Sequence, residues 1–464
     1  MTMKKIFFII ALIVCILTSG KLYSQNVIIE GTVNKSNALV RLFTYNDMLT
    51  CEQTLIAETK SDGDGNFVIK TDVDGIQMSQ IAVDLERVDV LLRPDANYKI
   101  KIIIPDQADN ISYFERQDPT LRMLEANDDN LYYQYFMTEI LVNDFVLENF
   151  NHLYRRRQTS LLDSLDVIVE KSIGALQSDY VKDYLRYRKA AIQMAIDNDN
   201  AKKVVNQYFD NQDILYSQPS YMDLFNELFV DYLSRQFNPS ELLDKLYLGY
   251  DNFFRYIKGN DAFLSDNIQL AELITIWNLR RMYYENSDDR QIILKNIRSM
   301  IECSENQVNI NIAKDILKQI DRLAYNTEAP FFSLKDKDGN LIKLCDYQDN
   351  MVLLQFVDKV NPMLNYQFDE LDRLQKQWQD TIQIVTIATK DGFDDFVQMF
   401  DNKGFNWELL NLGDDILLLE DYQVKTFPEY IIISQNGRIG MAPAPSPEQF
   451  LDFHVRRIYK YLKK

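Results

Sequence analysis

The stretch that decides the fold runs from Ala329 to Leu371 and reads APFFSLKDKDGNLIKLCDYQDNMVLLQFVDKVNPMLNYQFDEL. Its first part predicts a strand hairpin that turns at Asp338-Gly339-Asn340. The run from Met351 to Val357 is almost continuously apolar, which favours a buried strand. The apolar residues that follow have the helical spacings 4, 3 and 7: Leu364, Phe368, Leu371 and Trp378. The stretch therefore predicts a buried strand that leads into a helix.

The chain beyond this stretch continues to alternate strands with helices. A strand is predicted over 382–389, an amphipathic helix over 393–400, and residues 422–439 read YQVKTFPEYIIISQNGRI. This order resembles the thioredoxin-like domains of the TlpA/ResA kind, which carry a proline and then a strand at this place. The resemblance covers about residues 327 to 462. It implies an α/β thioredoxin-like domain.

The resemblance places two catalytic cysteines at the entrance to the first helix, and this chain has neither. Asn361 and Leu364 occupy the two positions, with Pro362 and Met363 between them. Thiol–disulfide exchange needs a thiolate, which neither an amide nor an isobutyl group supplies. We therefore interpret these four residues as degenerate active-site positions and predict no catalytic residue. Asn361 followed by Pro362 is also a typical helix N-cap and first helical residue, and this structural role is the favoured one.

The resemblance further implies that Pro428 is a cis-proline and borders a groove together with Phe427. In this fold an extended peptide can pair with the strand before the proline through main-chain hydrogen bonds, which requires no thiol. Asn361 and Met363 would line the same groove. A purely structural role for the same residues is favoured at least as strongly, since Pro428 is needed to form the turn.

The first 25 residues have the features of a signal peptide. Lys4 and Lys5 precede an apolar run from Ile6 to Leu17 that is too short to span a bilayer. Cleavage is predicted near Ser24-Gln25, and no transmembrane segment would remain after it. The pattern predicts export to the periplasm or cell envelope of a diderm bacterium.

Two more regions lie between the signal peptide and the thioredoxin-like region. Residues 26–110 read as short strands separated by turns, which predicts a β-sandwich similar to domains that often precede TlpA-type domains in secreted bacterial proteins. One turn, 61–66, begins like a calcium loop with Asp62, Asp64 and Asn66, but a plain hairpin turn is the favoured interpretation.

Residues 111–325 have long helical patterns and predict an all-α region of about eight helices. Tyr221, Phe225, Phe229 and Tyr232 form a stripe of aromatic residues that we interpret as core packing, with a ligand groove as the alternative. The predicted organisation is thus multidomain: signal peptide 1–25, β-sandwich 26–110, helical domain 111–325 and thioredoxin-like domain 326–464.

Composition limits the classes of partner. The 464 residues carry a formal net charge of −19, and the tightest basic cluster, Arg155–Arg157, lies in a helical pattern where a solvated face is expected. Nucleic acid is therefore an unfavourable partner. Because the chain is predicted to be exported, we expect a protein or peptide partner in the cell envelope.

Cysteine and histidine usage limits the chemistry. Cys51, Cys303 and Cys345 remain after the predicted signal peptide, and the chain has 2 histidines, no CxxC motif and no glycine-rich phosphate loop. We predict no metal site and no cofactor. Cys345 is the one cysteine of the thioredoxin-like region. The alternative function depends on it: the protein would be a thiol-disulfide oxidoreductase or peroxidase-type protein of redox homeostasis that uses this displaced cysteine. We expect it to be a buried or half-buried packing thiol.

Overall fold

The computed structural model describes residues 26–106, 113–196, 201–285, 288–347, 349–378 and 382–462. The predicted signal peptide, residues 1–25, lies outside the described residues. Strands come first, then helices, then an alternation of strands and helices. This is the multidomain fold class that the sequence predicted.

The N-terminal region is a sandwich of two four-stranded sheets. Its strands are β1 (Val27–Val33), β2 (Leu39–Tyr45), β3 (Gln53–Lys60), β4 (Asn66–Thr71), β5 (Gln77–Val83), β6 (Glu86–Leu92), β7 (Ala96–Ile103) and β8 (Thr120–Ala126). The strand orders are β4-β1-β7-β8 and β3-β2-β5-β6, and β1 and β7 are parallel. Alternate residues of β4 and β7 are buried, so each presents one face to the core between the sheets. The last strand, β8, lies beyond the predicted boundary at residue 110.

The middle region is helical, with twelve α-helices among the described residues. They are α1 (Leu131–Glu148), α2 (Leu162–Ile173), α3 (Asp179–Ile196), α4 (Ala201–Tyr208), α5 (Pro219–Phe229), α6 (Tyr232–Gln236), α7 (Pro239–Tyr247), α8 (Tyr250–Asn260), α9 (Ala262–Asp266), α10 (Ile268–Glu285), α11 (Arg290–Cys303) and α12 (Gln307–Asp321). Tyr221, Phe225 and Phe229 are fully buried in its main core, which confirms the core interpretation of the aromatic stripe. Leu49, from the β2–β3 connection, is part of that core.

The C-terminal region is a seven-stranded sheet with helices on both faces. Its elements are β9 (Ser333–Asp336), β10 (Leu341–Lys343), β11 (Met351–Val357), α13 (Pro362–Trp378), β12 (Ile382–Ala388), α14 (Phe393–Lys403), β13 (Glu408–Asn411), α15 (Ile416–Asp421), β14 (Glu429–Ile433), β15 (Ile439–Ala444) and α16 (Leu451–Leu462). The strand order is β10-β9-β13-β12-β11-β14-β15. Strand β11 is central, parallel to β12 and antiparallel to β14, and every residue in it is buried.

The sandwich packs directly against the C-terminal sheet. Phe43, Ala82 and Leu85 of the sandwich share one apolar core with C-terminal residues that include Phe356 and Ile416. Polar contacts reinforce this junction because Arg41 donates to the carbonyl oxygen of Asp414 at 2.8 Å and Arg87 pairs with Glu420. Toward the helical region, Lys318 on α12 pairs with Glu52 of the sandwich at 2.7 Å. The three regions are therefore held against one another.

Two hairpin turns, one in each sheet-forming region, have the same geometry. Asp62 accepts hydrogen bonds from the amides of Asp64 and Asn66, and Asp336 accepts them from the amides of Asp338 and Asn340, at 2.8 to 2.9 Å. The side chain that would begin a calcium loop is thus used to close a turn. In the described ranges no three His, Cys, Asp or Glu side chains gather as metal ligands. None of the helices in those ranges is both long enough and apolar enough to cross a membrane.

Candidate functional site

The helix entrance that the sequence singled out splits into an exposed and a buried part. Asn361, Pro362 and Met363 are exposed, Met363 to 61 %, whereas Leu364 is 2 % exposed and belongs to the core beneath α13. The Leu364 amide donates to Oδ1 of Asn361 at 2.9 Å, and this confirms Asn361 as the N-cap of α13. The second cysteine position is therefore filled by a core residue.

Phe427 and Pro428 lie beside this helix entrance, and the surface that they form with Asn361 and Met363 is called the proline edge. The Phe427–Pro428 peptide bond is cis. Because Phe356 of β11 pairs with Glu429 of β14, Pro428 lies beside the end of β11, and Asn361 follows that end by four positions. Phe427 and Pro428 are half-buried. The sheet register thus brings the two groups of predicted site residues to the same edge.

A buried carboxylate that the sequence analysis did not identify lies at the same end of β11. Asp358 directly follows β11 and is 2 % exposed. Its Oδ1 accepts from the Thr389 hydroxyl at 2.9 Å, and its Oδ2 accepts from the Tyr113 amide at 2.5 Å. A carboxylate that follows an apolar central strand is a signal in the sequence, because polar groups at the carboxyl ends of such strands commonly form sites.

Close packing holds this carboxylate in place. The Thr389 amide donates to the Val357 carbonyl oxygen at 3.0 Å, which ties the loop after β12 to the end of β11. Gly392 lies in the same loop, and a Cβ atom there would come within 1.8 Å of the Asp358 carbonyl oxygen. Since that neighbour is backbone and cannot move aside, the loop needs glycine at position 392.

Arg116, from the segment before β8, completes a charged cluster. Its guanidinium nitrogens lie 3.8 Å from Asp358, 3.0 Å from Asp391 and 3.3 Å from Glu86. Burial alone would lower the pKa of Arg116, but Asp358, Asp391 and Glu86 together raise it above the ordinary arginine value. The guanidinium therefore stays charged, and it neutralises part of the negative charge of three carboxylates.

Strand β11 also carries a buried amide, three positions before Asp358. Gln355 is fully buried, and its amide nitrogen donates to the Thr386 hydroxyl at 2.5 Å. The Trp407 indole nitrogen donates to the same hydroxyl at 2.9 Å. Since an amide, a hydroxyl and an indole do not titrate near neutral pH, these three groups fix geometry and do not carry protons.

Cys345 is exposed, so the expectation of a buried or half-buried packing thiol is wrong. It lies in the short turn Leu344–Tyr347, which follows the outermost strand β10. Leu341 and Lys343 of that strand are themselves exposed, so the edge strand offers little to bury the turn that follows. A strand at the edge of a sheet has a neighbouring strand on one side only, so residues next to it are less buried than residues next to a central strand. This is why Cys345 is exposed.

Cys345 also lies at the wrong end of the sheet for the predicted site. It lines a cavity of about 180 Å³ together with Val352, at the start of β11, and Ile433, at the end of β14. The rise from Val352 to Val357 is about 16 Å at the usual strand spacing. Cys345 and the helix entrance are therefore separated by the length of the central strand.

The other two described cysteines lie outside the C-terminal region. Cys303 is exposed at the end of α11. Cys51 is exposed on a cleft of about 860 Å³ whose walls come from all three regions and include Arg280 and Lys425. Burial by the surrounding walls, and then Asp47 and Asp223, raise the pKa of the Cys51 thiol. A raised pKa lowers the thiolate fraction, which is unfavourable for a nucleophile.

The C-terminal region matches a known protein family. Residues 325–442 match the model of the AhpC/TSA family. No curated protein sequence matches the chain.

Solved structures similar to the C-terminal region include three from bacteria. A putative thiol-disulfide oxidoreductase from Bacteroides vulgatus is 17 % identical, with a TM-score of 0.28, and the match covers 30 % of this chain and 98 % of that one. A putative thiol:disulfide interchange protein DsbE from Chlorobium tepidum is 18 % identical, with a TM-score of 0.27, and the match covers 29 % of this chain and 98 % of that one. The pneumococcal exposed lipoprotein thioredoxin from Streptococcus pneumoniae is 20 % identical, with a TM-score of 0.23, and the match covers 27 % of this chain and 99 % of that one. The match to the AhpC/TSA family, on a sheet of this strand order, confirms that the C-terminal region is a thioredoxin-fold domain of the kind that the sequence resembles.

Proposed function

We propose that this is an exported cell-envelope protein whose thioredoxin-like domain binds or assembles with a protein or peptide partner and does not exchange disulfides. The observation that carries the proposal is the separation of the domain's thiol from its helix entrance. Asn361 and the buried Leu364 occupy the entrance, and Cys345 lies at the opposite end of β11. Thiol exchange needs a thiolate at the place where the disulfide docks.

The proposed binding surface is the edge that contains Asn361, Met363, Phe427 and Pro428. An extended peptide would add to this edge by main-chain hydrogen bonds and would contact the exposed Met363 side chain. Export is supported by the signal-peptide pattern of residues 1–25. Mass spectrometry of envelope fractions tests it, and the expected mature chain begins near Gln25.

The alternative, a redox enzyme that uses Cys345, has one observation in its favour, which is that this thiol is exposed. The residues that line its cavity in the described part of the chain include no histidine, lysine or arginine. A thiol without such a neighbour lacks the positive charge that stabilises a thiolate, which is unfavourable for a nucleophile. An insulin reduction assay separates the two functions: we expect the uncatalysed rate, and catalysis abolished by Cys345→Ser would establish the alternative.

Site-specific photo-crosslinking tests the binding surface itself. A photoreactive amino acid is introduced at Met363 or, as the matched control, at Leu341, which is 54 % exposed on the outermost strand β10. We expect a partner from envelope extracts to be crosslinked from position 363 and not from position 341. Equal crosslinking from both positions would contradict a binding role for this edge.

A further inference from the structure

A short segment of the same chain covers part of the proline edge. Tyr113–Arg116, here called the cover, begins with a helical turn, Tyr113–Glu115, and is followed by β8, which pairs with β7. The cover thus belongs to the sandwich region by sequence, although it contacts the thioredoxin-like domain. It is separated from Asp358 by more than 240 positions along the chain.

The aromatic residues of the cover pack on the residue that precedes the cis-proline. The ring of Phe114 lies 5.2 Å from the ring of Phe427 with an interplanar angle of 32°. The ring of Tyr113 lies 6.1 Å from Phe427 in an edge arrangement. These are the separations at which aromatic pairs attract one another. Phe114 nevertheless remains 46 % exposed, so its ring lies at the rim of the edge and is open to replacement.

The polar groups of the cover satisfy the buried carboxylate. The Tyr113 amide donates to Asp358, and the Arg116 guanidinium faces Asp358 and Asp391. The Tyr113 hydroxyl donates to the carbonyl oxygen of Leu85 in the sandwich. If the cover left without a substitute, Asp358 would remain a buried charge with fewer partners, which is unfavourable.

We propose that the cover closes the proline edge and that a partner binds there only by displacing it. This rests on the proposed function, because it names the regulation and the partner class of that same binding surface. Any replacement must supply what the cover supplies: an aromatic ring for Phe427, and an amide and a cation for Asp358 and Asp391. A segment that lacks the cation leaves the buried carboxylate poorly paired, so the penalty selects against it. The partner segment therefore contains an aromatic residue followed by a basic one.

The overall charge of the chain agrees with a basic partner segment. With a formal net charge of −19 the protein attracts cationic peptides and repels anionic ones at long range. Two carboxylates at the edge, Asp358 and Asp391, extend that preference to the contact itself.

A peptide with the sequence of residues 113–119, YFERQDP, tests the proposal as a replacement for the cover. Its affinity is measured by fluorescence anisotropy for the mature protein, for Phe114→Ala and for the control Phe331→Ala. Phe331 is 62 % exposed and lines the Cys345 cavity, so the control removes the same ring at the other end of the sheet. We expect Phe114→Ala to bind the peptide at least tenfold more tightly than the other two proteins. A peptide with glutamine in place of arginine should bind Phe114→Ala at least tenfold more weakly.

Equal affinity of all three proteins for the peptide, or no binding by Phe114→Ala, would refute the proposal that the cover closes the proline edge. Amide hydrogen exchange gives a second measurement on the unaltered protein, in which the Tyr113 amide should be protected. Exchange of residues 113–116 at the rate of an open chain would also overturn it. The proposed function fails separately: it is refuted if crosslinking from position 363 finds no partner in either the wild type or Phe114→Ala. Equal crosslinking in these two proteins would retain the partner and refute the cover.

Discussion

The two ends of strand β11 differ in the groups that they carry. The end that leads to Asn361 has a buried carboxylate, a guanidinium and further carboxylates, and the helix entrance there contains no sulfur. The end near Val352 has the Cys345 thiol in a small cavity without a basic side chain among its described lining residues. A reactive thiol needs sulfur and a stabilising charge in one place. Charged groups near a thioredoxin-like helix entrance can therefore hold structure together without thiol chemistry.

The largest expected effect is the loss of Arg116. Arg116→Ala leaves Asp358 buried without its cation, and removal of one partner from a buried pair costs about 3–5 kcal/mol in the free energy of unfolding. Arg438→Ala is the matched change at the other end. Its pair with Glu328 spans 3.4 Å between exposed side chains and is worth at most about 1 kcal/mol. Urea denaturation of both variants measures the difference. Equal losses of unfolding free energy would contradict the contrast between the two ends of β11.

The second prediction restores sulfur to the helix entrance. In a Cys345→Ser background, Asn361→Cys with Leu364→Cys should form an internal disulfide on mild oxidation, because Cα atoms one helical turn apart lie about 5 to 6 Å from each other. The helix N-terminus should lower the pKa of the thiol at position 361 below about 8.5. In the reduced form we expect a loss of about 2 kcal/mol, because Leu364 is a core residue.

Peptide mapping of the oxidised protein decides this second prediction. Cysteines at 361 and 364 that stay unpaired, or that pair only between chains, would refute the assignment of the helix entrance. The matched single variant Asn361→Cys should remain a free thiol and provides the pKa without the disulfide.

Local features of the site were predictable because neighbouring residues determine them. Asn361 caps α13 through a bond to a residue three positions away, and the turns at Asp62 and Asp336 close within four positions. The strand β11 was predictable because every residue in it is buried and nearly all are apolar. Such features depend on composition over a few residues, which a single sequence displays.

Other features depend on contacts that the sequence does not display. Strands β3 and β8 were not predicted, because both are edge strands in which no residue is buried and the alternation is weak. The helical region was predicted with about eight helices, and short ones such as α6 and α9 were not distinguished. The bond between Tyr113 and Asp358 joins distant parts of the chain, so the cover and its cluster emerge only from the fold.

A third prediction isolates the cap. Asn361→Ala removes the acceptor of the Leu364 amide and should destabilise the protein by about 1 kcal/mol. Asn361→Asp retains an acceptor at a helix N-terminus and should lose less. Thermal or urea unfolding measures both, and a loss in Asn361→Ala no larger than in Asn361→Asp would exclude a capping role.

The fourth prediction uses pH at the helix-entrance end. Glu429 follows the cis-proline, and burial raises the pKa of its carboxyl although Lys425 lowers it in part. A carboxyl whose folded pKa is raised contributes stability that is present below its unfolded value of about 4.3 and is lost as pH rises through the folded pKa. Glu429→Gln should therefore be slightly more stable than the wild type at pH 7, by less than the Asn361→Ala effect, and should lose this advantage near pH 4. An advantage that is the same at both pH values would contradict the assignment.

The smallest effect is expected at Cys345. Because this thiol is exposed, Cys345→Ser should change the free energy of unfolding by less than about 0.5 kcal/mol. Thiol titration without denaturant should detect Cys51, Cys303 and Cys345, with Cys51 slowest because its thiol pKa is raised. If Cys345 reacted only after denaturation, it would be a packing residue after all.

The sandwich and the thioredoxin-like sheet share one apolar core, which fixes the two relative to each other. Phe43, Ala82 and Leu85 fill part of that core, so a fragment that begins at residue 326 would expose apolar area and lose solubility. A domain that shares its core with a neighbouring domain does not rotate independently on a linker. A partner that docked on the proline edge would therefore be held at a set angle to the sandwich that shares this core.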